Sequence, residues 1–277
     1  MQRRTVQRRT VLGLPVLGVA ALAAAGCGDD PAVRRRQDQS GEGRIAYGDD
    51  PSQFGELRLP DGPPRGVVVV VHGGFWKAEY DLSLGSPLAV ELVALGWAAW
   101  NLEYRRVGNG GGASTTFDDV AAGIDRLANL DVPLDTVVTL GHSAGGHLAT
   151  WAASRTRSDR WAGGVEVTHV VSQAGVLDLG AAHEAGLGGG AVEAFLGHPP
   201  GPADALLDPV RQAPLDVPVW CVHGTDDDVV PISQSRSYVA AADGSAELVE
   251  VPGDHMSVID RASDAWQAQL RILEGIA

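Results

Sequence analysis

An α/β architecture, a largely parallel sheet covered by helices on both faces, is predicted for this 277-residue chain by three observations. Short apolar runs rich in β-branched residues alternate with segments of helical periodicity. Several of these runs end in loops that carry glycine and histidine. One of them, Thr136 to Leu140, passes directly through Gly141-His142-Ser143-Ala144-Gly145 into the apolar segment Ala144 to Ala153. That is the pattern of a buried strand, a sharp turn and a helix. The length fits one domain with an extensive core.

Taken in chain order, Ile45 to Tyr47 and Glu56 to Leu59 read as leading strands, and the all-valine run Val67 to Val71 as a central one. Pro87 to Leu95 is helical and Trp97 to Leu102 a strand. Phe117 to Leu130 places Phe117, Val120, Ala121, Ile124, Leu127 and Ala128 on one stripe, with Thr115 or Thr116 as its cap. Val165 to Gln173, Val217 to Val222 and Leu248 to Val251 are further strands. Between them Gly175 to Leu215, rich in Gly, Pro and Ala, is the least regular stretch and the natural place for a small cap or substrate loop.

Three segments carry chemistry. A serine held on a tight strand-to-helix turn projects its hydroxyl above the sheet, and the flanking glycines spare the neighbouring backbone a collision. Upstream, Val67 to Val71 ends in His72-Gly73-Gly74-Phe75-Trp76. Downstream come His223-Gly224-Thr225-Asp226-Asp227-Asp228-Val229-Val230-Pro231 and then Pro252-Gly253-Asp254-His255. A serine, an aspartate and a histidine are thus available in that order, Ser143, Asp227 and His255 being 84 and 28 residues apart. Any of the three consecutive acids can fill the middle position on spacing alone.

These segments together resemble the α/β-hydrolases, in which the Ser, Asp, His order is found. Within them the chain is similar to the esterase and arylformamidase (kynurenine formamidase-like) branch, through His72 to Trp76 and Gly141-His142-Ser143-Ala144-Gly145-Gly146-His147-Leu148. Asn101-Leu102-Glu103-Tyr104-Arg105 resembles the (D/E)YR segment of hormone-sensitive-lipase-like esterases. The resemblance runs from about Ile45 to the C-terminus. It implies a mostly parallel eight-stranded sheet with helices on both faces, Ser143 as nucleophile and His255 as its base. The related pattern H-G-x-x-D-x-x-V-P, aligned on His223-Gly224 and Val230-Pro231, selects Asp227 as the acid and leaves Asp226 and Asp228 as solvated loop residues. The oxyanion hole falls to the backbone N–H groups of Gly73, Gly74 and Ala144. Phe75, Trp76 and Tyr104 are expected to line the substrate pocket. His72 and His147 are expected to be structural, His147 packed beneath the nucleophile helix.

Residues 1–26 are expected to be a signal peptide, because Arg3, Arg4, Arg8 and Arg9 precede an apolar stretch too short to span a bilayer. Arg8-Arg9-Thr10-Val11-Leu12 resembles a twin-arginine signal, and Leu22-Ala23-Ala24-Ala25-Gly26-Cys27 a lipobox with Cys27 as the lipidation site. Ordinary cleavage or a non-cleaved anchor is the other reading. Residues 27–43 then form a disordered tether and 44–277 the catalytic domain, with the cap or loop insertion at about 175–215. The expected location is the outer face of the cell membrane, with the cytoplasm as the alternative. Without the leader, 17 basic residues face 35 acidic ones, a net charge of −18 that disfavours nucleic acid and anionic membrane surfaces. Membrane attachment rests on the lipid alone.

No metal motif or phosphate-binding loop occurs, so no cofactor is expected. Cys221, among Val219, Trp220 and Val222, reads as a buried strand residue. The leading function is hydrolysis of small acyl or aryl carboxylic esters through an acyl-enzyme. Arylformamidase action on N-formyl-kynurenine and a prolyl-oligopeptidase-like activity are alternatives, and a noncatalytic surface-binding module is the reading from a different class.

Overall fold

The computed structural model describes residues 42–276; the arginine-rich leader, Cys27 and most of the expected tether lie outside them. Eight strands, β1 (Gly43–Ala46), β2 (Phe54–Arg58), β3 (Val67–Val71), β4 (Ala98–Leu102), β5 (Val137–His142), β6 (His169–Gln173), β7 (Val219–Gly224) and β8 (Ala246–Val251), form one sheet. Its order is β1-β2-β4-β3-β5-β6-β7-β8. β2 pairs antiparallel with both β1 and β4, and the six strands β3 to β8 are mutually parallel, so the sheet is mostly parallel as expected, with an antiparallel edge that the sequence pattern does not specify.

Successive side chains of a strand point to opposite faces, so a run of five valines supplies two cores. Val67, Val69 and Val71 join one apolar cluster and Val68 and Val70 the other. The helices are α1 (Ser86–Ala94), α2 (Ala113–Asp125), α3 (Ala144–Ser154), α4 (Leu179–Glu184), α5 (Ala191–Leu196), α6 (Pro209–Gln212), α7 (Ser233–Ala241) and α8 (Asp264–Glu274). α1 and α8 cover the Val68 face through Leu88, Leu92, Trp266 and Leu273, while α2, α3 and α7 cover the Val67 face. Among the described residues no helix is long and apolar enough to cross a membrane.

Three expected boundaries move for identifiable reasons. The helix expected from Phe117 begins at Ala113, after Gly112; the Thr116 hydroxyl accepts from the Gly112 N–H and donates to the Arg105 carbonyl, bracing the first turn instead of capping it. Its last turn tightens to a 3-10 helix at Arg126–Asn129. The strand expected from Val165 begins at His169, because Val165 is held by side chains: its N–H donates to Asp125 and its carbonyl accepts from the buried Arg155. Residues 175–215 are more regular than expected. They carry α4, α5, α6 and 3-10 turns, and their Leu179, Val192 and Phe195 pack into the Val67 core.

α8 shows how locally consistent the sequence is. The Ser263 hydroxyl accepts from the Trp266 N–H as an N-cap, Asp264 sits in the positive first turn, and Trp266 is fully buried. Trp266→Ala should therefore destabilise the fold by about 3–5 kcal/mol through lost burial and the cavity left behind. The measurement is the urea midpoint at unchanged slope; a shift equivalent to under about 1 kcal/mol would mean that α8 is not packed as described.

Candidate active site

Parallel strands present all their carboxyl ends on one edge of the sheet, which is where loops can meet. Ser143 follows β5, His72 to Gly74 follow the adjacent β3, Asp227 follows β7 and His255 follows β8. Four segments far apart in sequence thus share one rim.

The turn at Ser143 is forced into shape. Its φ of 57° and ψ of −119° lie in a region that residues with a side chain rarely adopt. Two close approaches explain the flanking glycines: a Cβ on Gly141 would lie 2.1 Å from the Gly145 carbonyl oxygen, and one on Gly145 would lie 2.1 Å from that of Val71. The Ser143 N–H donates to the Gln173 carbonyl on β6 (2.8 Å), and its own carbonyl accepts from His147 and Val176. Ser143 is thereby fixed at the head of α3. The N–H of Ala144, first residue of that helix, belongs to the group that has no intrahelical acceptor.

His255 and Asp227 are directly joined. The Asp227 Oδ2 accepts from His255 Nδ1 at 2.7 Å, which leaves Nε2 of a neutral ring as an acceptor. Asp227 Oδ1 accepts from the N–H groups of Val229 (2.9 Å) and Val230 (2.8 Å). Burial alone would raise the Asp227 pKa, but hydrogen bonds from His223, His255 and the Val230 N–H outweigh it and hold the carboxyl below the usual range. Asp226 and Asp228 are exposed. Of the three acids, Asp227 is the one within reach of the imidazole.

The loop after β3 turns through three consecutive left-handed residues, Gly74 (φ 111°), Phe75 (51°) and Trp76 (55°). Gly73 packs on the serine, since a Cβ there would lie 3.0 Å from Ser143 Cβ, and one on Gly74 would strike the Tyr80 ring at 2.3 Å. Beneath the loop, His72 is buried against Tyr104 with ring centroids 4.4 Å apart, and the Tyr104 hydroxyl donates to the His72 carbonyl at 2.6 Å. Glu103 accepts from the N–H groups of Leu82 and Tyr104 and pairs with Arg106, which also donates to His72 Nε2 at 3.1 Å. Burial, reinforced by Arg106, lowers the His72 pKa to about 3. A histidine kept neutral by burial inside an ion-paired network is scaffolding for the loop.

A pocket of about 230 Å³ opens over these segments, lined by Gly74, Phe75, Tyr80, Leu84, His142, Ser143, Val229, His255 and Met256. Its walls are apolar or aromatic apart from the two histidines and the serine. Of the three expected pocket residues, Phe75 is there. Trp76 and Tyr104 are not: the left-handed turn sends Trp76 inward to stack on Phe195 at 4.6 Å, and Tyr104 lies under His72. His147 is buried among Trp76, Phe117 and Phe195, with Nε2 donating to the Leu207 carbonyl. None of residues 175–215 lines the pocket; they touch the site from behind, through the Val176 N–H donating to the Ser143 carbonyl, Gly188 against Phe75 and the Lys77 Nζ donating to the Gly188 carbonyl. Among the described residues no group of three or more His, Cys, Asp or Glu is placed to hold a metal ion.

Several site residues were not singled out in the sequence. Tyr80, Val229 and Met256 are exposed apolar residues at the pocket mouth, and the last two sit beside Asp227 and His255, a proximity that could have flagged them. His142 donates through Nε2 to the His255 carbonyl at 3.0 Å. Gln173 and Gln269 both donate to the Val258 carbonyl, anchoring the loop that follows His255. Nothing in the spacing announces that pair.

Comparison with known proteins bears on the fold and the family. A BD-FAE family model matches residues 60–241, about two thirds of the chain. Esterase LipC of Mycobacterium tuberculosis is 27% identical over 235 residues, covering 76% of this chain and 58% of its own. The probable carboxylic ester hydrolase LipM of the same organism is 27% identical, with 75% and 53% covered. The chain thus spans little more than half the length of these curated relatives. Among solved structures, a truncated carbohydrate esterase from gut microbiota superposes with a TM-score of 0.70 at 20% identity, covering 84% of this chain and 94% of its own. Esterase B of Lactobacillus rhamnosis gives 0.70 at 19% identity, with 89% and 90% covered. These likenesses establish the α/β-hydrolase fold. None of them singles out the kynurenine formamidase branch.

The buried histidines set a pH dependence. Burial lowers His72 and His142 from 6.5 to about 3 and His147 to about 4. Between those values and 6.5 the unfolded chain binds protons that the folded chain does not, so stability falls as pH falls. The slope is up to ~1.4 kcal/mol per pH unit for each histidine, and Asp227 adds the same sign at lower pH. The urea midpoint should therefore drop steadily from pH 6.5 to 4.5, and less steeply in His147→Leu. A midpoint that is flat over this range would contradict the buried, neutral state of these rings.

Proposed function

The chain belongs to the BD-FAE family, and from that membership and the site's geometry we propose that it is a serine hydrolase of small carboxylic esters. The observation that carries the proposal is the 2.7 Å contact between Asp227 and His255 Nδ1, in a site where His255 and the strained Ser143 wall the same pocket. In this reading the Ser143 hydroxyl attacks the ester carbonyl while His255 Nε2 takes its proton. Asp227 keeps the ring in the Nδ1–H tautomer and stabilises the positive charge. The oxyanion lies toward the N–H groups of Gly74 and Ala144, with Gly73 allowing the close approach. His255 then hands the proton to the departing alkoxide, leaving an acyl-Ser143, and a water molecule deprotonated by the same nitrogen releases the acid.

The pocket narrows the substrate class. A volume of about 230 Å³ is below the ~300–1,000 Å³ usual for drug-sized ligands, so a small acyl or aryl group fits. No charged carboxylate or guanidinium lines it, which favours neutral esters. The esterase names carried by the mycobacterial relatives point the same way. Export and acylation at Cys27 complete the proposal, on the strength of Arg8-Arg9 and the Leu22 to Cys27 pattern.

The test is a panel of p-nitrophenyl esters of increasing acyl length together with N-formyl-kynurenine. Short acyl esters should be the fastest substrates and Ser143→Ala should abolish turnover. Asp227→Asn should lower kcat by about 10⁴-fold, whereas Asp226→Asn and Asp228→Asn should stay within a few fold of the parent. Faster formamide than ester hydrolysis would move the activity to the arylformamidase class. In cells, Cys27→Ala should release the protein from the membrane fraction with its activity intact; a parent already in the cytosolic fraction would overturn the export reading.

A further inference from the structure

Asp227 touches a second imidazole. His223, fully buried near the end of β7, has Nε2 at 2.8 Å from the Val230 carbonyl oxygen and at 3.3 Å from Asp227 Oδ2. Its other nitrogen, Nδ1, is 2.7 Å from the hydroxyl of the buried Ser235 on α7. The proton positions follow from chemistry. A carbonyl and a carboxylate only accept, so Nε2 carries a hydrogen, and Nδ1 of a neutral ring then accepts from the Ser235 hydroxyl.

This places His223 at the closing point of the turn that makes the carboxylate. The Val230 N–H donates to Asp227 Oδ1 while the Val230 carbonyl accepts from His223, so one imidazole fastens the far end of the turn whose amides hold the acid. The His223 Nε2–H also brings its positive end beside Oδ2, the oxygen that His255 uses. A carboxylate able to rotate would offer His255 a poorer geometry and lose kcat.

We infer that His223, held in its Nε2–H tautomer by Ser235, is a positioning residue for the reaction: it locks the Asp227 to Val230 turn and aims Oδ2 at His255. The inference rests on the serine-hydrolase reading of the site. It adds a buried support, Ser235 to His223 to Asp227, behind the three residues that do the chemistry. The groups facing this pair are few: His142 is 4.5 Å from the His255 ring, Asp254 adjoins His255 in the chain and acts electrostatically with Asp227, and the Cys221 thiol is in hydrogen-bond contact with Ser235.

The sign of the pH effect can be worked out. Removing the His223 N–H leaves the Asp227 charge less compensated, which favours the protonated form of His255 and also makes Asp227 itself easier to protonate. Both move the acid limb of the kcat/KM profile to higher pH.

The experiment compares His223→Phe, His223→Gln and Ser235→Ala with the parent in p-nitrophenyl ester hydrolysis. Active sites are counted by fluorophosphonate titration, so that kcat is expressed per reactive serine. His223→Phe, similar in shape but without polar atoms, should lose kcat by up to roughly 10²-fold with KM within about twofold, and its acid limb should move up. His223→Gln, whose amide can donate where Nε2 does, should recover most of both. Ser235→Ala should show the same signature more weakly, and it serves as the test if His223→Phe does not fold. Parent values of per-site kcat and acid limb in both His223→Phe and Ser235→Ala, or in Ser235→Ala alone if only that variant folds, would overturn the inference. Failure of the underlying reading looks different: a parent that neither turns over esters nor takes up the fluorophosphonate, indistinguishable from Ser143→Ala.

Discussion

Ser143 keeps a left-handed backbone conformation that costs a residue with a side chain on the order of 1–3 kcal/mol, and the packing around it leaves no alternative. Gly145 lies against the Val71 carbonyl and Gly141 against Gly145, so β3, β5 and α3 are in contact at the turn itself. Relaxing Ser143 would pull α3 off the sheet. The strain is paid by the two apolar clusters that clamp β3 and β5 between helices on both faces. Everything else in the site is placed relative to that fixed hydroxyl: Gly73 packs on its Cβ, and the loops after β7 and β8 bring Asp227 and His255 to the same rim.

Two of the buried polar networks each support a loop of the site. Behind the β3 loop, Glu103, Arg106, Tyr104 and His72 bond to one another and brace the three left-handed residues that follow. Behind the β7 loop, Ser235 and His223 do the same for the turn at Asp227. An unpaired buried polar group costs about 1–3 kcal/mol, so such networks give a loop a single low-energy conformation. The pocket wall is free to be apolar because the polar work is done behind it.

Much of this was legible in the sequence because it depends on local rules. The valine run, the G-x-S-x-G turn and the Ser, Asp, His order each announce themselves through backbone or spacing requirements, and the resemblance they carry implies the eight-stranded mostly parallel sheet that is found. The pocket was not legible, because side-chain direction hangs on backbone torsions that spacing does not reveal. Trp76 looks like a pocket residue beside Phe75, yet a φ of 55° turns it into the core, while Tyr80, four residues later, takes the place at the mouth. His223 stood in plain view within the motif, but its contact with Asp227 exists only once the intervening turn has closed. Val165 to Thr168 likewise had a strand's composition, but Val165 at its head is held by Arg155 and Asp125 instead.

The central claim is that the strained serine is the nucleophile, and covalent capture tests it most directly. The account predicts that a fluorophosphonate adds a single adduct per chain, that peptide mapping places it on Ser143, and that ester hydrolysis falls in proportion to the adduct formed. An adduct on another residue, or hydrolysis that persists when Ser143 is fully modified, would contradict it.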